Sequence, residues 1–212
     1  MEIINENNYR FPYWGGLLIK TSVSNLLKKT LLDKGKLIKK KSNNYNHNLV
    51  GAIKHEYVYK DVMKWFIPMF AKPLKHYEHE FLQSWQNTAT NIVTPFKVKN
   101  CELWINYQKS KEFNPRHMHS GDLSFVIYLK IPQELIEENK KTKERFKSEG
   151  TGTIQFHHGE ALPFAINTVE EMPHEGEVFI FPSWMQHSVT PFFSDVERIS
   201  VAGNIILEKK NA

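Results

Sequence analysis

After residue 97 the spacing of apolar residues changes from helical to extended, and this change constrains the fold more than any other feature of the chain. "KVKNCELWINYQ" (97–108) and "TGTIQFHHG" (151–159) alternate, "LSFVIYLKI" (123–131) and "GEVFIFPSW" (176–184) are continuous apolar runs, and "RISVAGNIIL" (198–207) closes the series. Alternation reads as a strand with one wet face, and a short continuous run as a strand buried on both. Five or more such segments, punctuated by Gly, Pro, Ser and Asp, predict an antiparallel sandwich or barrel. Between two of them lies "QELIEENKKTKERFKSEG", with ten charged residues from Glu134 to Glu149. This insert, residues 133–149, is expected to be a solvated helix or a mobile flap at the rim of the sheet.

The first half reads as helical support. "YWGGLLIKTS" predicts a short strand ending near Thr21 or Ser22, followed by an amphipathic helix through Leu26, Leu27 and Leu31 that stops before Gly35. From Asp61 to about Thr90 the residues Val62, Trp65, Phe66, Met69, Phe70, Tyr77, Phe81 and Trp85 recur at near-helical spacing, with Pro68 and Pro73 expected to break or kink the segment. There is no repeat and no low-complexity linker. The chain, 212 residues with 41% apolar content, is therefore expected to form a single domain over 1–212. Residues 1–96 supply a strand and helices, and residues 97–212 the β core.

Composition narrows the chemistry. A single cysteine, Cys101, rules out a disulfide framework or a thiolate zinc site, leaving histidines and carboxylates as metal ligands. Met1 is followed by Glu, Ile, Ile, Asn and Glu, and no apolar run has the length of a membrane span, so a soluble, cytoplasmic protein is expected. The net charge of +5 includes seven lysines between Lys28 and Lys41. That cluster reads as a solvated helix end, with nucleic-acid phosphates as the alternative partner.

The histidines in "FNPRHMHSGDLSF" carry the sharpest signal. Side chains alternate along a strand, so His117 and His119 share a face, and His187 in "FPSWMQHSVTPF" follows a buried strand that can bring it to the same mouth from the opposite side of a barrel. Arg198 lies eleven residues after His187, and period two places Ser200 on its face. An Arg-x-Ser pair suits a ligand carboxylate, because the guanidinium binds it bidentately and the hydroxyl adds a hydrogen bond. His157 and His158 fall on opposite faces of one strand, and His47, His55, His76, His79 and His174 have no spacing that joins them to the set. Trp184 reads as a rim aromatic, and Asn106 and Asn204 as further candidates for the pocket wall.

From Trp104 to Ile205, "WINYQ", "NPRHMHSGDLSFVIYL", "GEVFIFPSWMQHSV" and "RISVAGN" together resemble the 2-oxoglutarate and iron(II) dependent oxygenases, in particular the prolyl-hydroxylase-like branch and its small phage-associated members. The resemblance implies a mainly β fold with flanking helices, a cupin-like double-stranded β-helix or jelly roll supported by N-terminal helices. It implies Fe(II) as metal, with 2-oxoglutarate and O2 as cosubstrates. The reaction implied is hydroxylation of a substrate C–H bond with release of succinate and CO2; the substrate could be a protein side chain, a nucleobase or a small molecule. By resemblance, His117 and His187 are ligands, Arg198 holds the far carboxylate of 2-oxoglutarate, and Tyr107 and Tyr128 hydrogen-bond it. One position departs from the family's H-x-D motif, because His119 stands where its carboxylate belongs. Either His119 is the third ligand or Asp122 folds back; strand alternation favours His119. Two rivals stay open: a cupin-like three-histidine metalloenzyme without 2-oxoglutarate, and a jelly roll that binds without catalysis.

Overall fold

A computed structural model describes residues 16–41, 45, 50–88, 96–146 and 150–209. In chain order the elements are β1 (Ile19–Ser22), α1 (Asn25–Lys41), β2 (Glu56–Val58), α2 (Val62–Thr88), β3 (Phe96–Gln108), β4 (Asn114–His117), β5 (Leu123–Lys130), α3 (Gln133–Phe146), β6 (Ile154–His157), β7 (Thr168–Glu171), β8 (Glu177–Pro182), β9 (Gln186–Val189) and β10 (Arg198–Lys209). Among the described residues ten strands form two antiparallel sheets, one in the order β1-β8-β5-β10-β3-β2 and the other β4-β9-β6-β7. This is the mainly β, two-sheet architecture expected from the alternation, and its core is the double-stranded β-helix.

Strand alternation divides the apolar residues between two layers. On β3, Leu103, Ile105 and Tyr107 join Phe125, Ile127, Val201 and the helices in the larger cluster. Tyr128, Phe179 and Phe181 turn the other way and meet Ile154 and Phe156 of the smaller sheet. A bulge between Ile199 and Ser200 of β10 places Ser200 opposite Tyr128, leaving Leu129 in the helical layer.

The helices brace the large sheet. Ser24 caps α1, its hydroxyl accepting from Leu27 N at 3.2 Å. Leu27, Leu31 and Gly35 are its buried face, whereas Leu26 is exposed. The helix therefore continues past Gly35 to Lys41, contrary to the expected stop. Glycine serves close approach here: a Cβ at position 35 would press on Ile105 and lie 3.0 Å from the Tyr59 hydroxyl. Pro68 and Pro73 likewise lie inside a continuous α2. Phe66, Phe70, Leu74 and Tyr77 are buried on both sides of the prolines, and Phe66 and Phe70 pack on Phe125 at 5.4 and 4.7 Å. At about 1.5–3 kcal/mol for each buried side chain, this face outweighs the hydrogen bonds that the prolines remove.

The charged insert is a packed helix. Leu135 of α3 is fully buried beneath Gly152, and buried Asn139 donates to Thr151 O at 2.8 Å. Glu138 accepts from Phe193 N at 2.9 Å, Ser194 N at 2.6 Å and the Ser194 hydroxyl at 2.5 Å. These bonds hold its carboxyl below the usual range against the opposing effect of burial. Of the two expectations, the helix is the one observed, over Gln133–Phe146, and Leu135, Asn139 and Glu138 anchor this otherwise polar segment. Residues 147–149 lie outside the described part of the chain.

Candidate metal centre

The small sheet brings two histidines together directly. His117 ends β4 and stands opposite His187 of the adjacent strand β9, so the two are cross-strand neighbours within one sheet and not residues from opposite walls. His119 lies two residues beyond the end of β4, outside any strand. Its position comes from its backbone N–H, which donates to Ser183 O at 3.0 Å, and not from strand alternation. The three rings stand 4.3–5.0 Å apart by centroid, and one nitrogen from each lies within 4.8 Å of the others.

Backbone carbonyls set two of the tautomers. His117 Nδ1 lies 2.7 Å from Pro115 O and His187 Nδ1 lies 3.1 Å from Met185 O. A carbonyl only accepts, so each Nδ1 carries the hydrogen and each Nε2 keeps its lone pair for a ligand. Burial lowers all three basicities. It is joined at His119 by the charge of His117, bringing that ring to about 4, and at His187 by both neighbours, bringing it to about 3. Three neutral imidazoles at pH 7 are a donor set that fits a borderline divalent ion such as Fe(II).

Asp122 takes no part in this group. Its Oδ2 accepts from Leu207 N at 2.7 Å, and its backbone N–H donates to Ile205 O at 2.9 Å, which ties the turn to β10.

The histidines share a cavity with Arg198, Ser200 and Tyr128. Arg198, 2% exposed, opens β10 in the interior. Its Nε donates to Gln108 Oε1 at 3.1 Å, Nη2 donates to the same oxygen, and Nη1 donates to Gly152 O at 2.5 Å. Gln108 is held in turn, its amide donating to Glu112 O at 2.6 Å. All these acceptors are neutral, and among the described residues no carboxylate pairs with this guanidinium. Tyr128 is fully buried and its hydroxyl has no hydrogen-bond partner; burial raises its pKa to about 12.

Tyr107 is not part of this wall. Its side chain belongs to the helical layer, edge-on to Tyr57 and 3.8 Å beneath the Lys39 ammonium. The expectation failed by one residue, since alternation on β3 sends Trp104, Asn106 and Gln108 to the cavity. Gln108 and Glu56, neither singled out in the sequence, both line it. Extending the face of Arg198 and Ser200 across the antiparallel partners of β10 would have found Gln108. Asn106 donates to Ser200 Oγ at 3.3 Å, whereas Asn204 accepts from Ser124 Oγ and lines a neighbouring groove.

The remaining candidates have structural partners. His157 bonds Thr168 Oγ1 and Ser188 Oγ, and His158 packs on half-exposed Trp184. In the lysine cluster, Lys28 pairs with Glu175 at 2.7 Å, Lys39 with Glu197 at 3.4 Å, and Lys34 lies over Trp65. The cluster thus spends part of its charge within the protein, and nothing in it favours nucleic acid. No described helix is long and apolar enough to cross a membrane.

Comparison with known proteins agrees with this geometry. Residues 102–204 match the family described as "Putative 2OG-Fe(II) oxygenase". No curated protein matches the chain by sequence. Among solved structures, a Pseudomonas putida prolyl-4-hydroxylase aligns over 92% of this chain and 93% of its own, with TM-score 0.56 and 13% identity. A prolyl hydroxylase from Trichoplax adhaerens, solved with a hypoxia inducible factor peptide fragment, aligns over 91% and 83%, with TM-score 0.53 and 11% identity. These identities speak to the fold alone, which is that of the prolyl-hydroxylase-like double-stranded β-helix. Residues 102–204 thus resemble the 2-oxoglutarate and iron(II) dependent oxygenases, a family whose cofactor is Fe(II) and whose cosubstrates are 2-oxoglutarate and O2, and the fold is that of the prolyl hydroxylases named above.

Proposed function

We propose that the protein is a hydroxylase in which His117, His119 and His187 hold Fe(II), and Arg198, Ser200 and Tyr128 bind 2-oxoglutarate. The observation that carries this reading is Arg198. A buried guanidinium is costly without an anion, and this one spends three of its five N–H groups on neutral acceptors in the same cavity as the histidines. The two left over match a carboxylate. The Tyr128 hydroxyl and the Ser200 hydroxyl supply further donors to the same dianion.

Iron(II) with 2-oxoglutarate supplies an oxidation in which O2 is consumed, the keto acid becomes succinate and CO2, and a substrate C–H becomes C–OH. The chain's own part is to present three neutral nitrogens on one side of the cavity, fix the cosubstrate's far end from the other, and exclude water. The substrate's approach is proposed to be the groove of about 600 Å³ that shares Trp104 and His119 with the cavity and is flanked by Met118 and Ser120. A three-histidine enzyme that dispenses with 2-oxoglutarate accounts for His119 but leaves Arg198 without a role. We further propose that 1–212 acts as one unit, because helices from the first half carry the sheet that holds the site.

The test is an anaerobic titration of the protein with Fe(II) and then 2-oxoglutarate, followed by a succinate assay against pooled peptides, nucleosides and metabolites. Iron binding with saturable 2-oxoglutarate binding is expected. Iron binding without it would overturn the cosubstrate assignment.

A further inference from the structure

Cross-strand register assembles one polar row over the cavity floor. Glu56 of β2 stands opposite Asn106 of β3, Asn106 opposite Ser200 of β10, and Ser200 opposite Tyr128 of β5. Directly opposed residues share a face with Cβ atoms roughly 4.5–5.5 Å apart, and all four line the cavity. One bond is already made, from Asn106 Nδ2 to Ser200 Oγ at 3.3 Å. Asn106 Oδ1 and the Tyr128 hydroxyl are buried with no protein partner.

The end member is a carboxyl buried to 3% exposure. Burial first, and the Glu112 carboxylate second, push Glu56 up to about 8, so it carries its proton at neutral pH. Glu112 is itself fixed by Lys54 N at 3.2 Å and Lys109 N at 2.8 Å. The other titratable groups of the cavity are Arg198, Tyr128 and the three histidines.

Protonation gives the row a direction. A protonated carboxyl donates, and the acceptor one rung away is Asn106 Oδ1. With Oδ1 engaged, Nδ2 faces Ser200 and occupies a lone pair of its hydroxyl, so the serine's own hydrogen is free to point at a ligand. An ionised Glu56 only accepts. It draws Nδ2 to itself, the amide turns over, and Oδ1 takes the hydrogen of Ser200.

We propose that Glu56 is a positioning residue whose protonated carboxyl orients Asn106 so that Ser200 donates to the anionic cosubstrate, and whose ionisation withdraws that donor. The proposal rests on the reading that this cavity binds 2-oxoglutarate. It makes affinity fall at alkaline pH through a residue that is neither one of the three histidines nor one of the hydrogen-bond acceptors of Arg198, which are Gln108 and Gly152.

The test is the dissociation constant of 2-oxoglutarate on anaerobic Fe(II)-loaded protein, measured by calorimetry from pH 6.5 to 9.5 for the wild type, Glu56→Gln and Glu56→Ala. The wild type is expected to weaken about tenfold or more across that range, the scale of one hydrogen bond to a charged group. Glu56→Gln, whose amide still donates to Oδ1, is expected to match the neutral wild type within a few fold and to stay flat with pH. Glu56→Ala is expected to be flat but about tenfold weaker. Infrared difference spectra of wild type minus Glu56→Gln at pH 7 should show the carbonyl stretch of a protonated carboxyl. An alkaline fall that persists in Glu56→Gln, an Ala variant as tight as the Gln variant, or an ionised carboxylate band at pH 7 would each overturn the proposal alone. A wild type that binds iron but no 2-oxoglutarate at pH 7 would overturn the reading of the cavity as well.

Discussion

Replacing Arg198 with Met should separate ligand binding from folding. The guanidinium makes three hydrogen bonds to Gln108 Oε1 and Gly152 O, which leaves two of its five N–H groups for a ligand. Each charge-assisted bond is worth about 1.5–3 kcal/mol, and two act as one unit, so on the order of 3 kcal/mol is at stake, roughly a hundredfold in affinity for 2-oxoglutarate. Stability responds differently. Met leaves two buried acceptors without donors, at about 1–3 kcal/mol each, but it also removes an uncompensated buried cation, and the two effects offset. We therefore expect the melting temperature of the ligand-free protein to move by only a few degrees. At a concentration of 100 times the wild-type Kd, 2-oxoglutarate adds about 2.7 kcal/mol to the wild type, raising its Tm by roughly 5–10 °C. The same concentration should barely shift the variant, while its Fe(II) affinity stays within a few fold. Lys at this position keeps the charge but loses the planar fork, and should fall between the two. Equal 2-oxoglutarate affinity in wild type and Arg198→Met would refute the reasoning.

His119→Ala should abolish tight Fe(II) binding, whereas Asp122→Asn should leave it unchanged and cost only part of the Leu207 hydrogen bond; equilibrium dialysis of both variants decides between the two candidate ligands. Leu135→Ala should destabilise the protein by about 2–5 kcal/mol in urea unfolding, because Leu135 is fully buried, whereas a flap would tolerate the change. Glu56 binds a proton in the folded state between about pH 4.5 and 8 that the unfolded chain releases, so its contribution to stability falls as pH rises through that window. Glu56→Gln should therefore be more stable than wild type at pH 9, by a few kcal/mol at most, and no different near pH 4, as measured by chemical denaturation.

Much of the fold was legible because burial has a period. The strand series from Phe96 to Lys209 follows side-chain alternation, and the apolar stripe of α2 follows its helical repeat. What misled were residues with two physical uses. Gly35 reads as a helix stop but allows close packing against Ile105 and Tyr59, and Pro68 and Pro73 read as breaks in a helix whose buried face holds it together. The charged insert hid its anchors, Leu135, Asn139 and Glu138, among polar neighbours. In the candidate site, His117, His187, Arg198 and Ser200 could be grouped from spacing. Tyr107 could not be separated from Asn106 and Gln108 without knowing which face of β3 meets the helices. Glu56 was beyond reach for another reason: its role depends on a register across β2, β3 and β10 that no local pattern encodes.

Charge accounting connects the departure at His119 to the rest of the cavity. With three neutral imidazoles the protein offsets none of the +2 of an Fe(II) ion, and Arg198 adds a further buried positive charge. A carboxylate at position 119 would have removed one unit. The proposed site therefore stands at about +3 before ligand and +1 after binding a dianion, so the electrostatic pull on 2-oxoglutarate is larger than in a 2-His-1-carboxylate arrangement of the same shape. That surplus favours ionisation of Glu56, and burial together with the Glu112 carboxylate opposes it and keeps the proton on. An ionised Glu56 would be a permanent internal anion in reach of the same positive field, and it would compete with the ligand for the charge the histidines leave unbalanced.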